Sequence, residues 1–128
     1  MRGEVRARSV AGHLEAVVTL RVRGPAGDEM AVTGVLDTGF DDDLALPFEF
    51  IAQLGLPFRE TVDVMMADGR ITPVSIFRGE VVGEDEPPRP VSVQVVIGEP
   101  LVGMSLLRGK RVTLDVIPGG PVSVEVLP

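Results

Sequence analysis

The sequence predicts an all-β domain with one or two short helices. Three observations point there: valine-rich runs broken by polar residues, glycine- and proline-bearing turns at short intervals, and helical spacing in only one extended stretch. With 128 residues and 45% apolar content, the chain is expected to build one core and one domain over residues 1–128.

In order, Glu4 to Ser9 and His13 to Arg23 read as strands separated by a turn at Val10-Ala11-Gly12. Gly24-Pro25-Ala26-Gly27-Asp28 collects turn residues, and Glu29 to Leu36 is the next strand. It runs into Asp37-Thr38-Gly39, then Phe40 and the acidic run Asp41-Asp42-Asp43. From Pro47 the apolar spacing turns helical through Phe48, Ile51, Ala52 and Leu54. Pro47 suits a first helical position and Gly55 the stop, which gives about two turns with the apolar stripe in the core.

Thr61 to Met66 faces Ile71 to Phe77 across Ala67-Asp68-Gly69-Arg70, a hairpin with Asp-Gly as its two-residue turn. Pro73 cannot donate to a ladder, so its arm is expected at an edge or with one bond missing. Gly83 to Pro90 is an acidic, proline-rich loop, and Val91 to Ile97 is a strand. Leu101-Val102-Gly103 follows, and Met104 to Gly109 has the length of one or two helical turns. Strands at Arg111 to Ile117 and Pro121 to Leu127, joined by Pro118-Gly119-Gly120, complete the chain.

Composition removes several kinds of chemistry. There is no cysteine, so disulfides, zinc-thiolate sites and thiol catalysis are excluded. The one histidine, His13, has no Gly-x-Ser-x-Gly elbow to serve and is expected on the surface. Tryptophan and tyrosine are missing, which leaves little for stacking nucleobases or sugars. A net charge of −7 argues against a nucleic-acid partner. Neither a secretory leader nor an apolar run long enough to span a bilayer is visible, so a cytoplasmic protein without a membrane partner is expected. Asp41-Asp42-Asp43 lacks the ligand spacing and glycine of an EF-hand loop and is expected to be a solvated acidic loop. No metal and no cofactor are implied.

Val35-Leu36-Asp37-Thr38-Gly39 is the candidate site. A carboxylate next to apolar neighbours loses hydration unless hydrogen bonds or a second charge offset the cost. Thr38 adds a hydroxyl, and Gly39 permits close backbone approach. Taken alone, the same three residues are also a common way for a strand to leave a sheet.

The order of Leu36-Asp37-Thr38-Gly39, an Asp-Gly hairpin, and Leu101-Val102-Gly103-Met104-Ser105-Leu106-Leu107 resembles the retropepsin-like aspartic proteases, the family of the retroviral proteases and their small prokaryotic relatives. The resemblance runs from about Val18 to Val126. It implies a closed β-barrel with its active site at a homodimer interface, and an aspartic endopeptidase acting on peptide or protein substrates. By position, Asp37 becomes the catalytic aspartate, and Thr38 and Gly39 complete its loop. Met66, Ala67, Asp68, Gly69 and Arg70 become the flap tip over the substrate, Phe40 and Asp41 join the cleft, and Leu101, Val102 and Gly103 support the active-site loop.

The chemistry implied has a physical basis. Two carboxylates forced together cannot both ionise cheaply, so they share a proton, one serving as base and the other as acid, as in the aspartic proteases. Such a pair activates a water and protonates the leaving nitrogen. This chain has one Asp-Thr-Gly, and Asp115 lacks the following hydroxyl and glycine, so the second carboxylate is expected from a second copy. The alternative within the same framework is an inactive dimeric barrel that serves as a peptide- or protein-binding or assembly module.

Two positions depart from the viral pattern. Phe40 stands where Ala or Ser is usual, and Met104 stands where the family usually carries an Arg that pairs with the aspartate at the position of Asp41. Arg70 and Arg108 are the expected replacements for that partner.

Overall fold

The structure, a computed structural model, describes residues 1–8, 12–83 and 86–128. Ser9, Val10 and Ala11, expected at the end of the first strand and in its turn, lie outside the described residues, as do Glu84 and Asp85 of the acidic loop. The described elements are β1 (Arg2–Ala7), β2 (Leu14–Arg23), β3 (Glu29–Leu36), β4 (Leu44–Leu46), α1 (Phe48–Leu54), β5 (Phe58–Met65), β6 (Ile71–Val82), β7 (Arg89–Val95), β8 (Leu101–Val102), β9 (Lys110–Leu114) and β10 (Pro121–Val126).

The strands form one sheet in the order β5-β6-β7-β4-β8-β3-β2-β1-β10-β9, and β6 also pairs with β2 through Glu80 to Val82. The alternation seen in the sequence is the alternation of faces. In β2, Val18, Leu20 and Val22 are buried while Thr19 and Arg21 are exposed. β2 and β3 pair antiparallel from Val17 opposite Val35 to Arg23 opposite Glu29, and the Gly24–Asp28 turn closes them. β1 and β10 pair with each other inside the chain. Arg6 in β1 donates to Glu15 and Glu99, and these bonds, the one to Glu15 foremost, hold its guanidinium above its ordinary pKa.

Among the described residues one helix forms, within the one or two expected. Met104 to Gly109 makes successive turns, with three-residue bonds from Arg108 N to Ser105 O and Lys110 N to Leu107 O. Burying Leu106 and Leu107 side by side, with Gly109 at a φ of 78°, turns the chain before a helix can propagate. In α1, Pro47 is the N-cap with an extended ψ of 148°, so the helix begins at Phe48, one residue later than expected. Gly55 closes the helix at a left-handed φ of 64°, its N–H meeting the carbonyls of the last turn. Ile51 and Leu54 enter the core, but Phe48 stays exposed and packs edge-on against Phe77, which also meets Phe58 at 5.7 Å between ring centroids.

The β5–β6 ribbon turns through three residues, not two. Met66 N donates to Arg70 O at 2.7 Å and Gly69 N donates to Met66 O at 2.9 Å, with Gly69 at a φ of 85°. A two-residue Asp-Gly turn needs positive φ at Asp68 as well, and no described residue other than glycine has it. Counting back from that turn, Pro73 opposite Asp63 is a non-hydrogen-bonded position, so its nitrogen faces away from β5. β7 begins its pairing at Ile76, and Pro73 therefore costs no ladder bond.

β7 starts at Arg89, two residues earlier than expected, and β9 ends at Leu114, where Asp115 N turns to Pro121 O. The core gathers β2, β4, β7, β8, α1 and the turn after β8, with Leu44, Leu46, Ile51, Leu106, Val93 and Val102 at its centre. Among the described residues no helix is long and apolar enough to cross a membrane. Leu44→Ala is expected to cost about 2–5 kcal/mol in urea unfolding, against within about 0.5 kcal/mol for the exposed Met65→Ala. Equal losses would contradict this placement of the core.

Candidate active site

β8 is only two residues long, yet it lies between two strands that are neighbours in sequence. It runs parallel to β3, with Val35 opposite Leu101 and Leu36 opposite Val102. It runs antiparallel to β4, with Leu44 opposite Val102. The chain leaving β3 must therefore pass round the end of β8 to re-enter the sheet as β4, and residues 37–43 make that passage. A backbone pressed against a strand end needs partners for its own polar groups. The segment after β8 supplies them: Asp37 N donates to Val102 O at 3.0 Å, Gly103 N to Asp43 O at 3.0 Å, Met104 N to Phe40 O at 2.8 Å and Ser105 N to Asp42 O at 3.3 Å.

Gly103 makes this contact possible. A Cβ there would overlap Asp42 O and stand 2.7 Å from the Phe40 ring. The ring occupies the space that the missing side chain leaves. Phe40 thus lies over Gly103, which gives a packing reason for phenylalanine at this position.

Asp37 is half-buried, and its Oδ1 accepts the Gly39 N–H at 2.9 Å, a local turn that fixes the carboxylate's orientation. Thr38 and Gly39 are exposed. Thr38 borders a hollow of about 420 Å³ that includes Leu36, Met104, Leu107, Val112 and Leu114. Met104 and Leu114 are exposed there, so an apolar surface begins where the Asp37 loop ends.

The acidic run is not a solvated loop. Asp41 alone is exposed, and among the described residues no ion pair reaches it. Asp42 accepts from Ser92 Oγ at 3.1 Å and Gln94 Nε2 at 3.3 Å. Asp43 Oδ2 accepts from Ser92 N at 3.0 Å, and Asp43 Oδ1 lies 3.6 Å from Arg89 Nη2. Neither expected arginine partners Asp41: Arg70 turns to Asp68 at 2.6 Å, and Arg108 is exposed. Sequence reasoning missed Arg89, Ser92 and Gln94. The last two were visible as the polar positions of β7, while Arg89 stands between Pro88 and Pro90 in a stretch that reads as loop.

The structure thus brings Asp37, Thr38, Gly39, Phe40 and Asp41 together with Leu101, Val102 and Gly103. The expected flap tip is separate. Met66, Ala67, Asp68, Gly69 and Arg70 are all exposed, and their described hydrogen bonds run within the tip. Among the described residues no group of His, Cys, Asp and Glu side chains is placed to hold a metal ion. His13 is exposed.

No protein-family model matches the chain, and no curated protein matches it. Among solved structures it is similar to a retropepsin-like aspartic protease from Rickettsia conorii, with a TM-score of 0.56 and 19% sequence identity over 98% of this chain and 95% of that one. The likeness is one of fold and extends over nearly the whole of both chains.

Gly103→Ala is expected to cost about 1–3 kcal/mol in urea unfolding and to move the amide resonance of Gly39, because the loop must shift to admit a methyl group. Gly83→Ala, whose added Cβ meets nothing closer than 3.7 Å among the described residues, is expected within about 0.5 kcal/mol of the parent chain. A silent Gly103→Ala would contradict the close approach.

Proposed function

We propose that the protein is an aspartic endopeptidase that works as a homodimer, with residues 1–128 as one retropepsin-like domain and Asp37 of each copy facing the other. The observation that carries this reading is the Asp37-Thr38-Gly39 loop hung from the end of β8, in a fold similar to that of a retropepsin-like aspartic protease. The β2–β6 pairing joins the two ends of the series β6-β7-β4-β8-β3-β2, which favours a closed barrel.

In this reading one Asp37 is ionised and the other protonated at the working pH, since two close carboxylates cannot share a site while both are charged. The ionised carboxylate takes a proton from a water, which attacks the peptide carbonyl, and the protonated one stabilises the oxyanion and then passes a proton to the leaving nitrogen. The Gly39 N–H holds Asp37 Oδ1 in place for this exchange. Thr38, exposed on a single chain, would hydrogen-bond across the two-fold axis, and the hollow bordered by Thr38, Met104 and Leu114 would be covered by the second copy. Met66 to Arg70, at the tip of the exposed ribbon, would close over an extended substrate held by backbone hydrogen bonds. Leu101, Val102 and Gly103 support the loop from below.

Assayed against a peptide library from acidic to neutral pH, the protein is expected to cleave, to be blocked by a statine-type inhibitor, and to sediment as a dimer. Asp37→Asn is expected to lower kcat by at least about 1,000-fold, with fold and dimeric mass unchanged. A folded dimer that cleaves nothing would instead favour the inactive binding module. Retained activity in Asp37→Asn would remove Asp37 from the mechanism.

A further inference from the structure

We infer that Arg89 is a positioning residue for the Asp37 loop, acting as a clamp on the turn that follows β8; this rests on the reading of Asp37 as the catalytic group. Arg89 is the first residue of β7, opposite Val81 of β6, and it is half-buried. Its Nη1 donates to Leu106 O and its Nη2 to Ser105 O, both at 3.0 Å. A planar guanidinium can hold two successive carbonyls in one plane, whereas an ammonium offers a single point of attachment.

The clamped residues bear directly on the site. Ser105 N holds Asp42 O, and the two residues before it, Gly103 and Met104, hold Asp43 O and Phe40 O. Arg89 therefore grips the turn, while the turn grips the loop. The same Nη2 faces the Asp43 carboxylate at 3.6 Å. Asp43 Oδ1 is buried and, among the described residues, has no hydrogen-bond partner, so the guanidinium is the charge that offsets its burial. Arg89 has two separable jobs: counter-charge to Asp43, and clamp on Ser105 and Leu106.

Two variants separate them. Arg89→Met keeps the length of the stem and removes both jobs. Adding Asp43→Asn removes the buried charge but does not return donors to the two carbonyls. Arg89→Met is expected to lower Tm, to reduce kcat about tenfold or more with KM within about twofold, and to speed amide exchange of Gly103 and Met104 about tenfold. Arg89→Met with Asp43→Asn is expected to regain Tm while kcat stays low and exchange stays fast.

Recovery of kcat and exchange together with Tm would reduce Arg89 to a counter-ion and overturn the clamp. Parent-like kcat and exchange in Arg89→Met would overturn it as well. If Arg89→Met does not fold, Arg89→Lys makes the same comparison with the charge retained: lowered kcat and faster exchange are expected, and parent-like values overturn the proposal. If the parent protein cleaves no peptide, the protease reading fails by that result alone. Amide exchange at Gly103 and Met104 then decides the clamp without reference to turnover, and unchanged exchange counts against it.

Discussion

Two residues, Leu101 and Val102, impose the constraint on which the candidate site depends. By pairing with β3 on one side and β4 on the other, they separate strands that the sequence joins by only seven residues. The connection wraps the end of β8, and the backbone groups of Asp37, Phe40, Asp42 and Asp43 that meet this segment need partners there. Val102 O, Gly103 N, Met104 N and Ser105 N satisfy them. Asp37 thus owes its fixed position to a segment more than sixty residues away, and the glycine at 103 is what lets the two backbones meet.

The same constraint explains the residues around it. The ring of Phe40 fills the space over Gly103. Asp42 and Asp43 fasten the returning chain to β7 through Ser92 and Gln94, and Arg89 closes the circuit by gripping the turn beyond Gly103. Charge is therefore used on the inner side of the loop as a set of struts, while Asp41 is left exposed on the outer side.

Local pattern made much of the fold legible. β3 and β10 follow from alternation and bounding turns, and the helix stop follows from a single glycine at 55. What sequence pattern could not show is whatever depends on a distant partner. Three adjacent aspartates look solvated until Ser92 and Gln94 are placed beside them, and Arg89 looks like part of a proline-rich loop until the carbonyls of Ser105 and Leu106 face it. Met104 to Gly109 has helical length, but the turn is set by the burial of Leu106 and Leu107. The hairpin tip was missed by one residue because Asp68 keeps negative φ and Gly69 alone supplies the positive one.

On the proposed reading, the single Asp37 and the apolar hollow beside Thr38 are two sides of one fact, a site that one chain leaves unfinished. Subunit mixing tests this most directly. Equal amounts of parent chain and Asp37→Asn chain are allowed to exchange, and cleavage is measured per parent chain added. If each site needs Asp37 from both copies, only like-paired parent dimers cleave, and activity per parent chain falls to about one half of its unmixed value. Activity per parent chain that is unchanged by the Asp37→Asn partner, with exchange verified by mass, would contradict a shared site.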